Sequence, residues 1–224
     1  MKRSPTNAPR LRCATVVPSW CGMGLVMALG MALGMALGVA LGMGVSMIMS
    51  GGARADASPP LFNDEGYRLP PFKAPVTAPL PGVTTLDDDG LQALLNNTPG
   101  VRLVDVYRLP WHGGLFLQDG PHLSIPGSVW LPNVGDPTLT AAWERYFIRS
   151  LDALRAGADN APLVFFCRAD CWLSWNAARR ARALGYDALY WYANGVDGWQ
   201  ASGHALTPVC PELPEQAERP TCEP

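Results

Sequence analysis

No aspartate or glutamate precedes Asp56, and no charge of either sign occurs between Cys13 and Ala53. A stretch this long without charge is not the solvated exterior of a folded domain. The chain also lacks a lipobox, because Pro18-Ser19-Trp20 stands before Cys21, and this argues against a lipoprotein anchor. It has no Cys-x-x-Cys-His, which excludes covalent haem attachment. From Asp56 onward positive charge is in deficit: twelve basic residues face 19 acidic ones, a balance of −7 that the formal −2 of the whole chain conceals. Such a chain gains nothing from a phosphate backbone, so nucleic acid is not an expected partner.

What the first 55 residues do contain fits a targeting segment. Lys2, Arg3, Arg10 and Arg12 form a basic flank, followed by an apolar run that includes "MALGMALGMALGVALGMG". That run exceeds the roughly 7–15 apolar residues of an ordinary signal core and is long enough to span a bilayer. Ala53-Arg54-Ala55 offers small residues at the spacing a signal peptidase requires, with Ala55-Asp56-Ala57 as a second option. Glycines 30, 34, 38 and 42 would share one helix face, a stripe suited to helix association, unless the repeat is only low complexity. The basic flank stays in the cytoplasm and the remainder is exported. The expectation is a periplasmic protein, released by cleavage; an uncleaved leader would make it an inner-membrane anchor instead, the one case with a membrane contact. Cys13 and Cys21 belong to the leader, so Cys167, Cys171, Cys210 and Cys222 remain, an even number in an oxidising compartment.

Four segments follow from composition: a signal peptide or membrane anchor over 1–55, a proline-rich arm over 56–82, a domain over 83–206 and a proline-rich acidic tail over 207–224. Proline fixes φ and donates nothing to a ladder, so the arm is extended, with Phe62, Tyr67 and Phe72 available to lie against the domain. In the tail, Cys210 and Cys222 either close a loop or remain spare thiols. Within the domain, strands alternate with helices. "VTTL" precedes the helix "DDDGLQALLNN", whose acids occupy the first turn. Strands are expected at "VRLVDVY", "GSVWLPN", "PLVFFC" and "ALYWYAN". Helices are expected over 139–157, over 175–186 with Gly185 as its stop, and briefly over 195–204. This order argues for an α/β fold with a parallel sheet flanked by helices, an architecture that places its site at the carboxyl ends of strands. Cys167 stands at such an end.

"LVDVY", "IPGSVWLP", "VFFC" and the run from Arg180 to the "NGVDGWQASG" ending resemble a rhodanese-like domain across about Val83 to Leu206. More closely, "GYRLPPFKAPVTAPLPG", "IPGSVWLPNVG", "ADCWLSWNAARRA" and "DGWQASG" resemble the exported rhodanese-related family named for a CXXCW motif. That resemblance implies an association with PQQ-dependent alcohol catabolism, and hence a periplasmic quinoprotein system or a thiol protein as partner. Here the spacing is C-x-x-x-C-W, one residue wider than the motif. The resemblance implies that Cys167 is the nucleophile, taking up sulfane sulfur as a persulfide. Asp170 departs from the glycine common at the third place after that nucleophile, and a carboxylate within about 4–6 Å disfavours a thiolate and an anionic donor alike.

Cys171 supplies a second thiol able to attack a persulfide or mixed disulfide on Cys167, so a redox-active Cys167/Cys171 pair ranks ahead of thiosulfate chemistry. Both cysteines are candidate catalytic residues. Arg168, Asp170, Trp172, Ser174 and Trp175 surround them as candidate substrate-binding residues, with Ser174 expected to cap the helix and Asn176 to belong to its start. Asp105 is expected to anchor the loop beneath Cys167. Neither a cofactor nor a resident metal is expected. Two alternatives stay open. One is a Cu(I) chaperone using the thiols with His112, His122 or His204 as third ligand, of which His122, just before the Ile-Pro-Gly turn, is the best placed by the topology the resemblance implies. The other is a non-catalytic module whose pocket is lined by Trp172, Trp175, Tyr190, Trp191, Tyr192 and Trp199; alternation of "YWY" across the two faces of a strand competes with it.

Overall fold

The computed structural model describes residues 59–158, 160–215 and 222. The leader, with Cys13, Cys21 and its glycine stripe, lies outside the described residues, as does most of the tail beyond 215.

The domain is built on five parallel strands. In chain order these are β1 (Thr84–Leu86), β2 (Arg102–Asp105), β6 (Val129–Trp130), β7 (Leu163–Phe166) and β8 (Leu189–Tyr192). Their order across the sheet is β1-β8-β7-β2-β6, which puts β7 at the centre, with Asp105 opposite Phe166 on one side and Phe165 opposite Trp191 on the other. Four helices join them: α1 (Asp88–Asn97), α2 (Ala141–Arg155), α3 (Trp172–Ala183) and α4 (Gly195–Ala201).

A strand covered on both faces carries an unbroken apolar run, and all four residues of β7 are buried. Leu163 and Phe165 pack with Phe147 and Leu151 of α2 and Ala177, Ala178 and Ala181 of α3. Val164 and Phe166 point the other way, into a second cluster with Leu91 of α1 and Val196 of α4. "YWY" divides in the same manner: Trp191 belongs to the first cluster and Tyr192 to the second. The alanines of α3 allow it to approach the sheet closely, and it ends at Gly185, whose φ of +92° is one that glycine adopts without steric cost.

Two smaller pairings escape the alternation of the sequence. β3 (Trp111–His112) and β4 (Leu115–Phe116) form a hairpin, while β5 (His122–Ser124) pairs antiparallel with β9 (Thr207–Val209). The last of these ties residues beyond 206 to the domain, and Cys210 is joined to Cys222. The strand expected over "GSVWLPN" is confined to Val129–Trp130; Asn133 turns the chain at a φ of +66° and spends its amide on Leu109.

From 71 to 79 exposure alternates residue by residue: Phe72, Ala74, Val76 and Ala78 face the first core cluster while Lys73, Pro75, Thr77 and Pro79 face solvent. Buried polar groups hold this segment. Asn176 Oδ1 accepts from Arg68 N at 2.8 Å, and its Nδ2 donates to Arg68 O and Gly135 O at 3.1 and 3.0 Å. Asn176 is therefore a buried bridge between α3, the arm and the loop before α2, not a helix-start group. No described helix is long and apolar enough to cross a membrane.

Candidate functional site

β7 delivers Cys167 to the carboxyl edge of the sheet, and the chain then makes a short loop before α3 begins at Trp172. Cys167 and Cys171 are joined across this loop in a disulfide with a Cα–Cα separation of 6.4 Å. Both are buried, at 1% and 8% exposure, so the bond between them is covered.

Two segments remote in sequence hold the loop. On one side lies the arm. Trp172 N donates to Phe72 O and Ala74 N donates to Asp170 O, each at 2.9 Å, and Lys73 Nζ donates to Ala169 O at 2.6 Å. On the other side lies the start of α4. Val196 N donates to Cys167 O at 3.0 Å, and Gly195 pairs with Arg168. Gly195 has a φ of +56°, and a Cβ there would sit 2.4 Å from Cys167 O, so only glycine lets the two backbones meet.

Asp197 completes this clasp. It accepts from Arg168 Nη2 at 2.6 Å and from Ala169 N at 2.9 Å. The hydrogen bond from Arg168 foremost, and that from Ala169 N, hold its carboxyl below the usual carboxylate range against the opposing effect of burial. In the sequence its only signal was an acid in the first turn of a short helix. Nothing there indicated that it reaches back across the sheet edge to the cysteine loop.

The residues expected around the cysteines separate into two groups. Arg168 and Asp170 are exposed, Arg168 in its ion pair with Asp197 and Asp170 at a φ of +54°, a left-handed turn that an aspartate tolerates better than most residues. Trp172, Ser174 and Trp175 are buried at 4%, 1% and 3%. Trp172 packs edgewise on Trp175 and on Phe62, Phe62 meets Trp175 at a tilt, and Arg68 lies 5.2 Å over the Trp172 ring. Trp175 Nε1 donates to Ala78 O at 3.2 Å. These indoles therefore fix the arm and do not line an open pocket. Ser174 is not the helix cap. That place falls to Cys171, without a side-chain bond, because the helix begins one turn earlier than the periodicity suggested. Ser174 Oγ instead donates to Cys171 O at 3.1 Å and accepts from Trp191 Nε1 at 3.0 Å.

Asp105 also differs from expectation. It is fully buried, yet its bonds run to Tyr107 N, His122 Nε2 and Ser124 Oγ at 2.8, 2.8 and 2.6 Å, away from the cysteine loop. His122 is stacked between Trp130 and Tyr107, with ring centroids 4.0 and 5.5 Å away. His204 meets Gln92 and Trp199. Among the described residues no three potential metal ligands converge, so the ligand set for a Cu(I) chaperone does not assemble. The pocket of the binding-module alternative is likewise dispersed, since its aromatics lie on opposite faces of β8 or beneath the arm. The acids at 87–89 serve α1: Asp87 caps it at Gly90 N, and Asp88 accepts from Tyr192 and Asn194.

A family model described as a rhodanese-like domain matches residues 88–202, just over half of the chain. No curated protein matches the sequence. Among solved structures, thiosulfate sulfurtransferase from Pseudomonas aeruginosa is similar at 17% identity and a TM-score of 0.41, covering 56% of this chain and 20% of that one. The polysulfide-sulfur transferase homodimer from Wolinella succinogenes is similar at 18% and 0.37, covering 56% and 79%. For 3-mercaptopyruvate sulfurtransferase from Leishmania major the values are 15% and 0.38, covering 65% and 41%. The chain thus spans about a fifth of the first of these proteins.

Proposed function

Since this chain belongs to the rhodanese-like domain family, we propose that it acts through Cys167 and Cys171 as a thiol-exchange protein, with sulfur transfer as the chemistry open to Cys167 once the pair is reduced. The observation that carries this reading is the bond between these two cysteines at the exit of the central strand. Exchange needs a thiolate to attack one sulfur of that bond while the other leaves with the electron pair. A dithiol partner completes the cycle: its two thiols become a disulfide, and Cys167 and Cys171 become thiols.

The reduced pair supports a second, connected reaction. Cys167 thiolate attacks the sulfane sulfur of a donor and becomes a persulfide, while the donor's bond to that sulfur breaks and the rest of the donor leaves with the electron pair. Cys171 thiolate then attacks Cys167 Sγ, hydrosulfide leaves, and the disulfide returns. Exchange takes precedence over transfer because Cys171 is already bonded to Cys167 and ends any persulfide formed there. The resemblance of "DCWLSWNAA" to the CXXCW family and the charge pattern of the leader support an exported, periplasmic setting beside a quinoprotein system. An inner-membrane anchorage would follow from an uncleaved leader.

Intact mass and alkylation of the isolated protein test this reading. On treatment with dithiothreitol a gain of about two protons is expected at Cys167 and Cys171, located by peptide mapping and counted separately from the two that Cys210 and Cys222 take up. In Cys171→Ser, a persulfide accumulates on Cys167 when a sulfane donor is supplied, and cyanide discharges it. A pair that stays oxidised under every thiol reagent in the folded protein would refute the proposal.

A further inference from the structure

Lys73 stands directly opposite Cys171 in an antiparallel bridge. The hydrogen bonds run between the flanking residues, Trp172 N to Phe72 O and Ala74 N to Asp170 O, each at 2.9 Å. That pattern defines a non-hydrogen-bonded pair, in which the two Cα atoms are about 4.5 Å apart and both side chains lie on the same face. Their Cβ atoms then lie about 4.5–5.5 Å apart, close to the roughly 3.5–4.5 Å that a disulfide spans. A sulfur carried at the place of Lys73 is therefore within reach of Cys171.

The neighbouring positions have their own character. Phe72 lies beneath Arg108, whose guanidinium is 5.2 Å from its ring centroid, and together with Ala74 it packs on the core cluster that includes Cys171 and Trp172. Lys73 is exposed and, among the described residues, its ammonium donates to a main-chain oxygen, Ala169 O. The arm thus presents an aromatic residue, an outward residue beside the disulfide and a small residue, all on an extended backbone.

We propose that the backbone strip Asp170–Trp172, now covered by Phe72–Ala74, is the docking edge for an extended, cysteine-bearing segment of the exchange partner, and that the arm is its intramolecular stand-in. This rests on the exchange reading above. It adds the form of the partner segment, an aromatic residue, then cysteine, then a small residue, and it specifies the sulfur attacked. The partner thiolate attacks Cys171 Sγ and a new S–S bond forms there. The Cys167–Cys171 bond breaks, and its electron pair leaves on Cys167 Sγ, which takes up the proton the partner gave up. A second thiol of the partner then displaces Cys171, leaving the partner oxidised and the pair reduced.

Two double variants of the full chain test the register. In Lys73→Cys/Cys167→Ser the introduced thiol closes onto Cys171 during air oxidation, as read by peptide mapping. In Lys73→Cys/Cys171→Ser it stays free of Cys167. Pairing with both cysteines, or with neither in variants that keep the wild-type circular dichroism, overturns the proposal. A second measurement uses the unaltered protein, so that a misfolded variant leaves no gap. A peptide of residues 69–77 with cysteine in place of Lys73 forms a mixed disulfide on Cys171 at least about tenfold faster than its scrambled sequence, the advantage expected of two backbone hydrogen bonds. Ala74→Pro, which deletes the arm's N–H donor, raises that rate further. If dithiothreitol opens the Cys167–Cys171 bond but the peptide has no advantage over its scramble, docking is wrong while exchange stands; if neither opens it, exchange itself fails.

Discussion

The carboxylate of Asp197 is shared between the guanidinium of Arg168 and the main chain at Ala169, so one side chain fixes two consecutive residues of the cysteine loop. Both members of the ion pair are partly exposed, and such pairs contribute at most about 1 kcal/mol. Asp197→Asn keeps the shape and removes the charge. Reduction of the Cys167–Cys171 bond by dithiothreitol is then expected to speed up severalfold with little loss of global stability, as followed by stopped alkylation and by thermal melting. An unchanged reduction rate would show that the arm alone holds the loop. Cys167 and Cys171 could be singled out from sequence because a short β-branched and aromatic run ending in a thiol is a local pattern. The roles of Asp197, Ser174 and Asp105 were not accessible in that way, since each depends on which distant backbone group its oxygen meets.

At the scale of elements, α3 does more than cover the sheet. It carries Asn176, fully buried, whose amide makes three hydrogen bonds to Arg68 and Gly135 across separations of 108 and 41 residues. Removing that amide leaves two carbonyls and one N–H of other segments without partners in a buried site. Asn176→Ala is expected to cost about 3 kcal/mol in urea or guanidinium unfolding, beyond the loss typical of a surface change. It should also loosen the arm, seen as faster amide exchange at Ala74 and Trp172. A cost below about 1 kcal/mol would mean that the apolar contacts of Phe72 and Val76 hold the arm by themselves. The order of strands and helices was legible because hydrophobic periodicity is a local signal. The β3–β4 hairpin and the β5–β9 pairing were not, for strands of two or three residues have too few positions to display a period.

For the molecule as a whole, ionisation sets a window of stability. Asp88, through hydrogen bonds from Tyr192 first and Asn194 next, and Asp197, through Arg168, both have carboxyls held below their ordinary value of 3.8. A depressed carboxylate contributes stability that is present above its unfolded pKa and lost as pH falls through the folded one. Tyr146, Tyr186 and Tyr192 are all pushed above their ordinary value of 10.0, chiefly by burial. Their contribution is complete below that value and lost as pH rises past it. Asp136, whose carboxyl burial raises, opposes the acid loss, so melting temperature is expected to fall above about pH 10 and, more gently, below about pH 4. Asp197→Asn should make the acid limb shallower. A melting temperature that drops steeply between pH 5 and 8 would contradict this assignment.

By itself, the sequence determined the order of the main strands and helices, the edge of the sheet at which the first thiol emerges, and the excess of negative charge. These properties reside in residue type and spacing along a continuous stretch. Tertiary structure alone decided that the two thiols are bonded and covered, that an extended segment about a hundred positions upstream lies over them, and that the tryptophans face inward. Each of those outcomes is a competition for backbone donors and apolar area between segments far apart in the chain, and contacts of that kind leave no periodic trace in either partner.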